Sequence, residues 1–426
     1  MSVVVAHRAP PTFDPAAATW GPRPLRVLLL HNFYRESGGE DEVFRAERKL
    51  LEDHGHEVIT YAVHNDTILD MGKLRLLRTT FWNQAAYHRI RALIRDCQPH
   101  VLHAHNTFPL LSPSVYAAAR AERVAVVQTL HNYRLICANG MLLREGAPCE
   151  RCVGRAVPWP AVVGRCYRGS AAASAVAAGM VWSHRLRKTW SRQVDLYVAL
   201  TSFARERFIA GGLPADRIVV KPNFVFDAWA DQPLESAGDH ALFVGRLAPE
   251  KGIATMLAAW RASPELPGLR IIGDGPLRDE VAAAAAADRR ISWLGQLPAD
   301  HVRQAMRQAG VLLVPSLCYE GAPLVIVESF AAGLPIIGSA HGAPGAQIEP
   351  AVTGLLHRPG DPADLARQVN AWHGNPAAGA TMRVRARARY LEAYSAAANY
   401  RMLVAVYTRA RSVAAAALRS RVPVSA

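Results

Sequence analysis

The stretch Ala241-Leu242-Phe243-Val244-Gly245-Arg246-Leu247-Ala248-Pro249-Glu250-Lys251-Gly252 decides the fold. Four apolar residues read as a buried strand that runs straight into a glycine. The loop behind it carries two cations five positions apart. On the C-terminal side the same rhythm repeats at Leu269 to Ile272, Ile291 to Leu294, Val311 to Pro315 and Pro335 to Ser339. On the N-terminal side it is already present at Leu25 to Leu30, His56 to Tyr61, His100 to Ala104, Val124 to Leu130 and Asp195 to Thr201. Short apolar runs alternating with helical segments predict parallel sheets wrapped by helices. Lys221-Pro222-Asn223-Phe224-Val225 breaks the rhythm.

The chain therefore reads as α/β, with two doubly wound Rossmann-like domains facing a cleft. The expected layout is a flexible leader over 1–23, a first domain over 24–222, a linker over 223–239 and a second domain over 240–395. Residues 396–426 hold a last helix, about Ala396 to Leu418, that is a candidate to pack back on the first domain. Ligands of open α/β sheets sit beyond the carboxyl ends of the strands, and the notable motifs all follow strands.

Composition narrows the class. The 426 residues are 50% hydrophobic and 20% charged, a globular balance that excludes wholesale disorder. The net charge of +14 points to a polyanionic partner: nucleic acid, an anionic membrane or a phosphorylated substrate. The excess is uneven, +11 up to Phe226 and +3 from Asp227 onward. No secretory signal is evident and no uncharged apolar run reaches about 18 residues, so a cytoplasmic protein is expected. Around the Ala-rich segment Gly169 to Ser183, the residues Arg165, Arg168, His184, Arg185, Arg187, Lys188 and Arg192 suit an anionic membrane or a lipid-linked diphosphate as well as plain solvent. No aromatic-basic recognition motif supports nucleic acid, so none is expected as a partner.

The motifs have a common chemistry. Arg246 and Lys251 on one tight loop can grip a diphosphate from two directions. Gly245 lets the backbone come close. Gly273-Asp274-Gly275-Pro276 makes a tight turn, and Trp293 is placed either to face a base or to pack. Glu320 and Glu328 are eight positions apart around a helix that starts near Ala322-Pro323. The free amides of Gly321, Ala322, Leu324 and Val325 at that helix start suit a phosphate or sugar hydroxyls. Glu328, among apolar neighbours, needs a polar partner, and a ribose diol is apt. His103, His105 and His131 sit at strand ends, where a histidine either serves structure or meets a sugar oxygen.

Taken together, Gly38-Gly39, Thr129-Leu130-His131, Phe243 to Leu247, Glu250-Lys251-Gly252, Gly273 to Pro276 and the Glu320–Glu328 motif resemble the retaining nucleotide-sugar glycosyltransferases of family 4. The resemblance runs from about Leu25 to Arg409 and implies the two-domain GT-B fold. It also implies roles. Arg246 and Lys251 would bind the donor diphosphate, Glu328 the ribose, and Glu320 the transferred sugar. Gly38 and Gly39 would let the first-domain loop approach the diphosphate, and His131 would reach the donor sugar from across the cleft. The chain has no Asp-x-Asp pair, so no metal cofactor is expected for catalysis.

The expected partners are a nucleotide diphosphate sugar donor, a sugar or lipid-linked sugar acceptor of the cell envelope or an exopolysaccharide, and an anionic membrane face. A sugar-nucleotide epimerase or a glycoside phosphorylase on the same scaffold is the alternative, and a nucleic-acid-binding protein using the cysteine cluster and the basic stretch is the rival from a different class. Four of six cysteines cluster as Cys137, Cys149, Cys152 and Cys166. A Cys-x2-Cys with two further thiols nearby makes them candidates for a tetrahedral structural zinc.

Overall fold

The structure, a computed structural model, describes residues 24–36, 38–230, 232–234 and 238–419. The leader expected over 1–23 lies outside the described residues, as do linker positions 231 and 235–237.

Two six-stranded parallel sheets carry the chain. The first contains β1 (Arg26–Phe33), β2 (Glu57–His64), β3 (Val101–Ala104) and β4 (Ala125–Leu130). A two-residue hairpin follows, β5 (Leu143–Arg144) with β6 (Ala147–Pro148), and then β7 (Leu196–Ala199) and β8 (Ile218–Val220) complete that sheet. The second sheet holds β9 (Ala241–Val244), β10 (Leu269–Ile272), β11 (Ile291–Trp293), β12 (Val311–Val314), β13 (Ile336–Ser339) and β14 (Gly354–His357). Strand order is β2-β1-β3-β4-β7-β8 in one and β11-β10-β9-β12-β13-β14 in the other. Both orders are doubly wound, and they reverse between β1 and β3 and between β9 and β12. The crevices beyond those strand ends are where such sheets bind ligands.

Each six-stranded sheet has one strand more than the sequence reading recognised, and the β5–β6 hairpin was not read either. β8 and β14 are edge strands of three and four residues, too short for their apolar content to stand out from loops. The first helix is Gly39–Asp53, and the Ala-rich segment Gly169 to Ser183 becomes the helix Ala171–Leu186, two residues later at its start and three at its end. No described helix is long and apolar enough to cross a membrane.

Burial explains the sheets. Leu28, Leu29 and Leu30 of β1 are fully buried, each worth about 2 kcal/mol of apolar transfer. Leu29 belongs to the same cluster as Leu403, Val406 and Tyr407 of the last helix, Ala396–Arg419. That helix thus packs on the first sheet, although it follows the second in sequence. A five-residue widened turn, Tyr390–Tyr394, and the extended Ser395 carry the chain across.

Candidate functional site

The crevice of the second sheet is built by two loops that interlock. Gly252 takes φ +75, and a Cβ there would stand 2.0 Å from the Pro315 carbonyl oxygen, so only glycine lets the loop after β9 lie against the end of β12. The Leu317 amide donates to the Glu250 carbonyl at 2.8 Å, tying the two loops. This brings Lys251 to Glu320: Nζ lies 2.6 Å from Oε1, which also accepts from Ser316 Oγ at 2.7 Å. Burial alone would raise the Glu320 pKa, but the Lys251 charge and these two hydrogen bonds hold it below the usual range. Burial likewise works against the charge of Lys251, and Glu320 outweighs it, raising the lysine. Arg246 reaches Glu250 at 2.6 Å while its side chain stays 56% exposed.

The helix Leu324–Ala331 opens on this crevice with Pro323 as its N-cap residue. Pro323 has no side chain to cap the first turn; the Ile326 amide bonds the Pro323 carbonyl at 3.2 Å, and the Leu324 and Val325 amides are left for a ligand or solvent. Glu328 lies on the same helix. Burial raises its pKa, Arg303 opposes and Glu42 of the first domain adds to it. No side-chain hydrogen bond of Glu328 is present among the described residues.

The first domain comes close over this crevice. A Cβ on Gly321 would stand 2.7 Å from the His131 carbonyl oxygen, and one on Gly39 would touch Leu324 at 3.9 Å. Asn223 Nδ2 donates to the Ala322 carbonyl at 2.9 Å, and the Phe203 and Tyr319 rings meet at 4.7 Å. Gly38 is the N-cap of the first helix, with open space where a side chain would be. Its amide donates to Asp41 Oδ2 at 3.1 Å, and Asp41 also contacts His31 at 2.6 Å.

The structure thus gathers Gly38, Gly39, His131, Lys251, Glu320, Gly321, Ala322 and Leu324 around one interdomain cleft. Gly245 and Val325 line a recess there with Lys251 and Glu320. Trp293 instead donates from Nε1 to the Gly273 carbonyl at 3.0 Å and packs on the second-domain core. His103 is wholly structural, bonded to Tyr407 and Thr129.

One site residue escaped the sequence reading. Glu40, in the first turn of the Gly39 helix, is pushed up to about 7 by burial. Its Oε2 accepts from Asn132 Nδ2 at 3.3 Å, whereas its Oε1 is buried without a partner. The available signal was its position: a carboxylate directly after the glycine pair, on a helix start that faces the cleft.

The cysteines lie in the excursion between β4 and the Ala-rich helix. Burial first, and then Cys137, push the Cys152 thiol up to about 11, and the same causes raise Cys166. Four thiolates around zinc, at about 2.3 Å each, need sulfurs roughly 3.8 Å apart. Among the described residues no three cysteines bring their sulfurs within 4.8 Å of one another. Cys137 Sγ instead donates to Asn139 Oδ1. As folded, the four thiols do not clasp an ion.

Comparison with known proteins agrees with the geometry. Residues 37–228 match the family described as Glycosyltransferase Family 4, and residues 238–375 match Glycosyl transferases group 1. Over 193 residues the chain is 29% identical to the amylovoran biosynthesis glycosyltransferase AmsK of Erwinia amylovora, covering 41% of this chain and 46% of that one. It is 26% identical over 197 residues to the lipopolysaccharide 1,6-galactosyltransferase of Escherichia coli, covering 44% and 55%. The chain spans about half the length, or less, of the first curated relatives it matches. Among solved structures, HepE of Anabaena in complex with UDP superposes with a TM-score of 0.60 at 17% identity, over 92% of this chain and 99% of that one. The same protein has also been solved with UDP-glucose.

Proposed function

The chain belongs to glycosyltransferase family 4 and has the GT-B fold, and on that premise we propose that it moves a hexose, with retention, from a nucleoside diphosphate sugar to a hydroxyl of an exopolysaccharide or cell-envelope acceptor. The observation that carries the reading is the Lys251–Glu320 pair beside Arg246, at the carboxyl ends of β9 and β12 and facing an uncapped helix start. A diphosphate offers that group what it lacks, a second anion for Arg246 and Lys251 and an acceptor for the free amides. Glu328, half-buried and with no side-chain hydrogen bond from the described residues, suits a ribose diol. UDP in HepE supports the donor class, and the amylovoran and lipopolysaccharide relatives support the acceptor class.

The chemistry follows from charge. The bond between the sugar's anomeric carbon and the phosphate oxygen breaks, leaving a diphosphate that carries the electron pair. Arg246, Lys251 and the helix amides stabilise that charge as it develops, so this chain's own cations suffice without a metal. The acceptor oxygen bonds to the anomeric carbon on the same face, and its proton passes to the departing phosphate oxygen. Glu320 is held by Lys251 and Ser316, which suits it to orient the sugar rather than attack it.

The acceptor face is proposed to rest on an anionic membrane. Leu74 is 73% exposed on the helix Lys73–Phe81, Val163 is 74% exposed, and Trp159, Trp182 and Leu186 are exposed on the neighbouring helices. Exposed Lys73, Arg75, Arg78, Arg187 and Lys188 accompany them. Apolar side chains beside basic ones bind anionic lipid surfaces. A structural zinc on Cys137, Cys149, Cys152 and Cys166 is also proposed, on condition that the four thiols draw together.

The deciding experiment incubates purified protein with UDP-, GDP-, ADP- and dTDP-sugars. Acceptor-stimulated release of one nucleoside diphosphate is the expected result, and an epimerised sugar nucleotide or phosphate-dependent turnover would refute the reading.

A further inference from the structure

Behind His131 lies a column of buried polar groups that the reading above leaves unused. Glu47 of the Gly39 helix and Lys221, just after β8, form an ion pair at 2.6 Å with side chains 0% and 1% exposed. Lys221 Nζ also donates to Asn399 Oδ1 of the last helix at 3.1 Å. The second Glu47 oxygen, Oε2, lies 3.4 Å from His105 Nε2 and 3.7 Å from His103 Nδ1; Oε2 and His105 Nε2 make no hydrogen bond to other described residues and are left to each other as a close polar contact. His105 Nδ1 then lies 3.0 Å from His131 Nε2. Glu47, His103 and His105 bring three donor atoms close enough for a metal ion. The Lys221 ammonium already occupies that cationic role, and His103 spends both ring nitrogens on Tyr407 and Thr129.

The hydrogens along the column have one consistent order. Burial alone would protonate Glu47, but Lys221 and the neighbouring histidines hold its pKa well below the usual range. An ionised carboxylate offers only lone pairs, so His105 Nε2 carries a hydrogen toward it. Lys221 has already neutralised the carboxylate, so a second buried cation on His105 would lack a counter-charge. His105 Nδ1 is therefore a lone pair, and His131 must place its hydrogen on Nε2 to meet it. His131 is neutral, because burial first, and then His105 and His31, hold its pKa well below the usual range. Its other nitrogen, Nδ1, takes no hydrogen bond from the described residues.

We infer that Glu47 and His105 are positioning residues that fix His131 as a hydrogen-bond acceptor, its Nδ1 lone pair presented to a hydroxyl of the donor sugar. The inference rests on the proposed placement of His131 beside that sugar and narrows it. An imidazole that could donate or accept becomes one that accepts, so the site favours a sugar that keeps a hydroxyl at that place.

The test reads the tautomer and the kinetics together. In the wild-type protein, side-chain nitrogen NMR is expected to find the His131 hydrogen on Nε2. In Glu47→Gln the amide oxygen stays with Lys221, the amide NH2 turns to His105, and the column inverts, moving the His131 hydrogen to Nδ1. With the sugar nucleotide selected by the release assay, Glu47→Gln and His105→Leu are each expected to raise KM or lower kcat at least tenfold. Their affinity for the bare nucleoside diphosphate stays within twofold of wild type. His105→Gln, whose amide can donate to Glu47 and accept from His131, recovers much of the loss. A wild-type hydrogen on Nδ1 overturns the inference, and this measurement decides even if Glu47→Gln fails to fold. So do wild-type kinetics in both Glu47→Gln and His105→Leu while His131→Ala is impaired. Normal transfer by His131→Ala would instead overturn the placement of His131 itself, and the inference with it.

Discussion

Lys251 Nζ and Glu320 Oε1 stand 2.6 Å apart, with side chains 27% and 12% exposed, and each meets the other where a donor would arrive. The pair joins two loops, so its members are not interchangeable. Lys251→Met leaves a largely buried carboxylate without its cation, and Glu320 must then take up a proton or water. Transfer is expected to fall about 10²-fold or more, as when one stabilising donor is removed. The melting temperature should fall as well. Glu320→Gln keeps the hydrogen bonds to Lys251 and Ser316 in reach. It should bind the nucleoside diphosphate as wild type does but transfer slowly, a split that calorimetry and initial rates resolve. Full rates in both variants would move the site elsewhere.

Glu40 gives the cleft a pH signature. Its carboxyl is pushed up to about 7 because burial penalises the charged form more than Asn132 and Tyr34 favour it. In the unfolded chain it would ionise near the ordinary value of about 4.3. The folded state therefore holds the proton more tightly. Its contribution to stability is complete below about pH 4 and is lost as pH rises through 7. Glu40→Gln cannot ionise, so its melting temperature relative to wild type should be higher at pH 8 than at pH 5. Equal differences at both pH values would show that Glu40 is not the group responsible.

Gly321 controls how closely the domains meet. A Cβ there would stand 2.7 Å from the His131 carbonyl oxygen, a distance that forces the backbones apart. Gly321→Ala should leave both domain cores intact, with little change in melting temperature. Small-angle scattering should show a more open molecule, and kcat should fall more than nucleotide affinity, because the first domain no longer reaches the donor. An unchanged kcat would mean that this approach of the domains is not used in turnover.

How much of this was legible in the sequence depended on how local each signal was. β9 and its loop could be read because Ala241 to Val244 is apolar throughout and ends at a glycine. Ile218–Val220 and Gly354–His357 could not, because three or four residues at a sheet edge carry too little pattern. Glu320 and Lys251 were legible as members of separate motifs, but their pairing spans 69 positions and depends on Gly252 lying against Pro315. The Glu47–His105–His131 column was illegible for the same reason. Its members come from a helix and two strand ends, and nothing in the spacing of Glu47, His105 and Lys221 marks them as neighbours. Trp293 shows the opposite case, in which a residue suited to a base by composition spends its N–H on the Gly273 carbonyl.

The cysteines pose a question of donor distance that metal analysis answers directly. The four thiols belong to one excursion, yet their sulfurs are too far apart for a common ion as folded. Binding zinc would have to pull them in and deprotonate them, Cys152 from a pKa of about 11. If zinc does this, purified protein should contain one equivalent that Cys149→Ser and Cys152→Ser each abolish. The excursion should then become protease-sensitive on chelation while the two sheets stay folded. Metal-free protein that is equally protease-resistant, with all four thiols titrating as free, would establish that the excursion is held by its own packing, Cys152 against Ala138, Ala161 and Ala177.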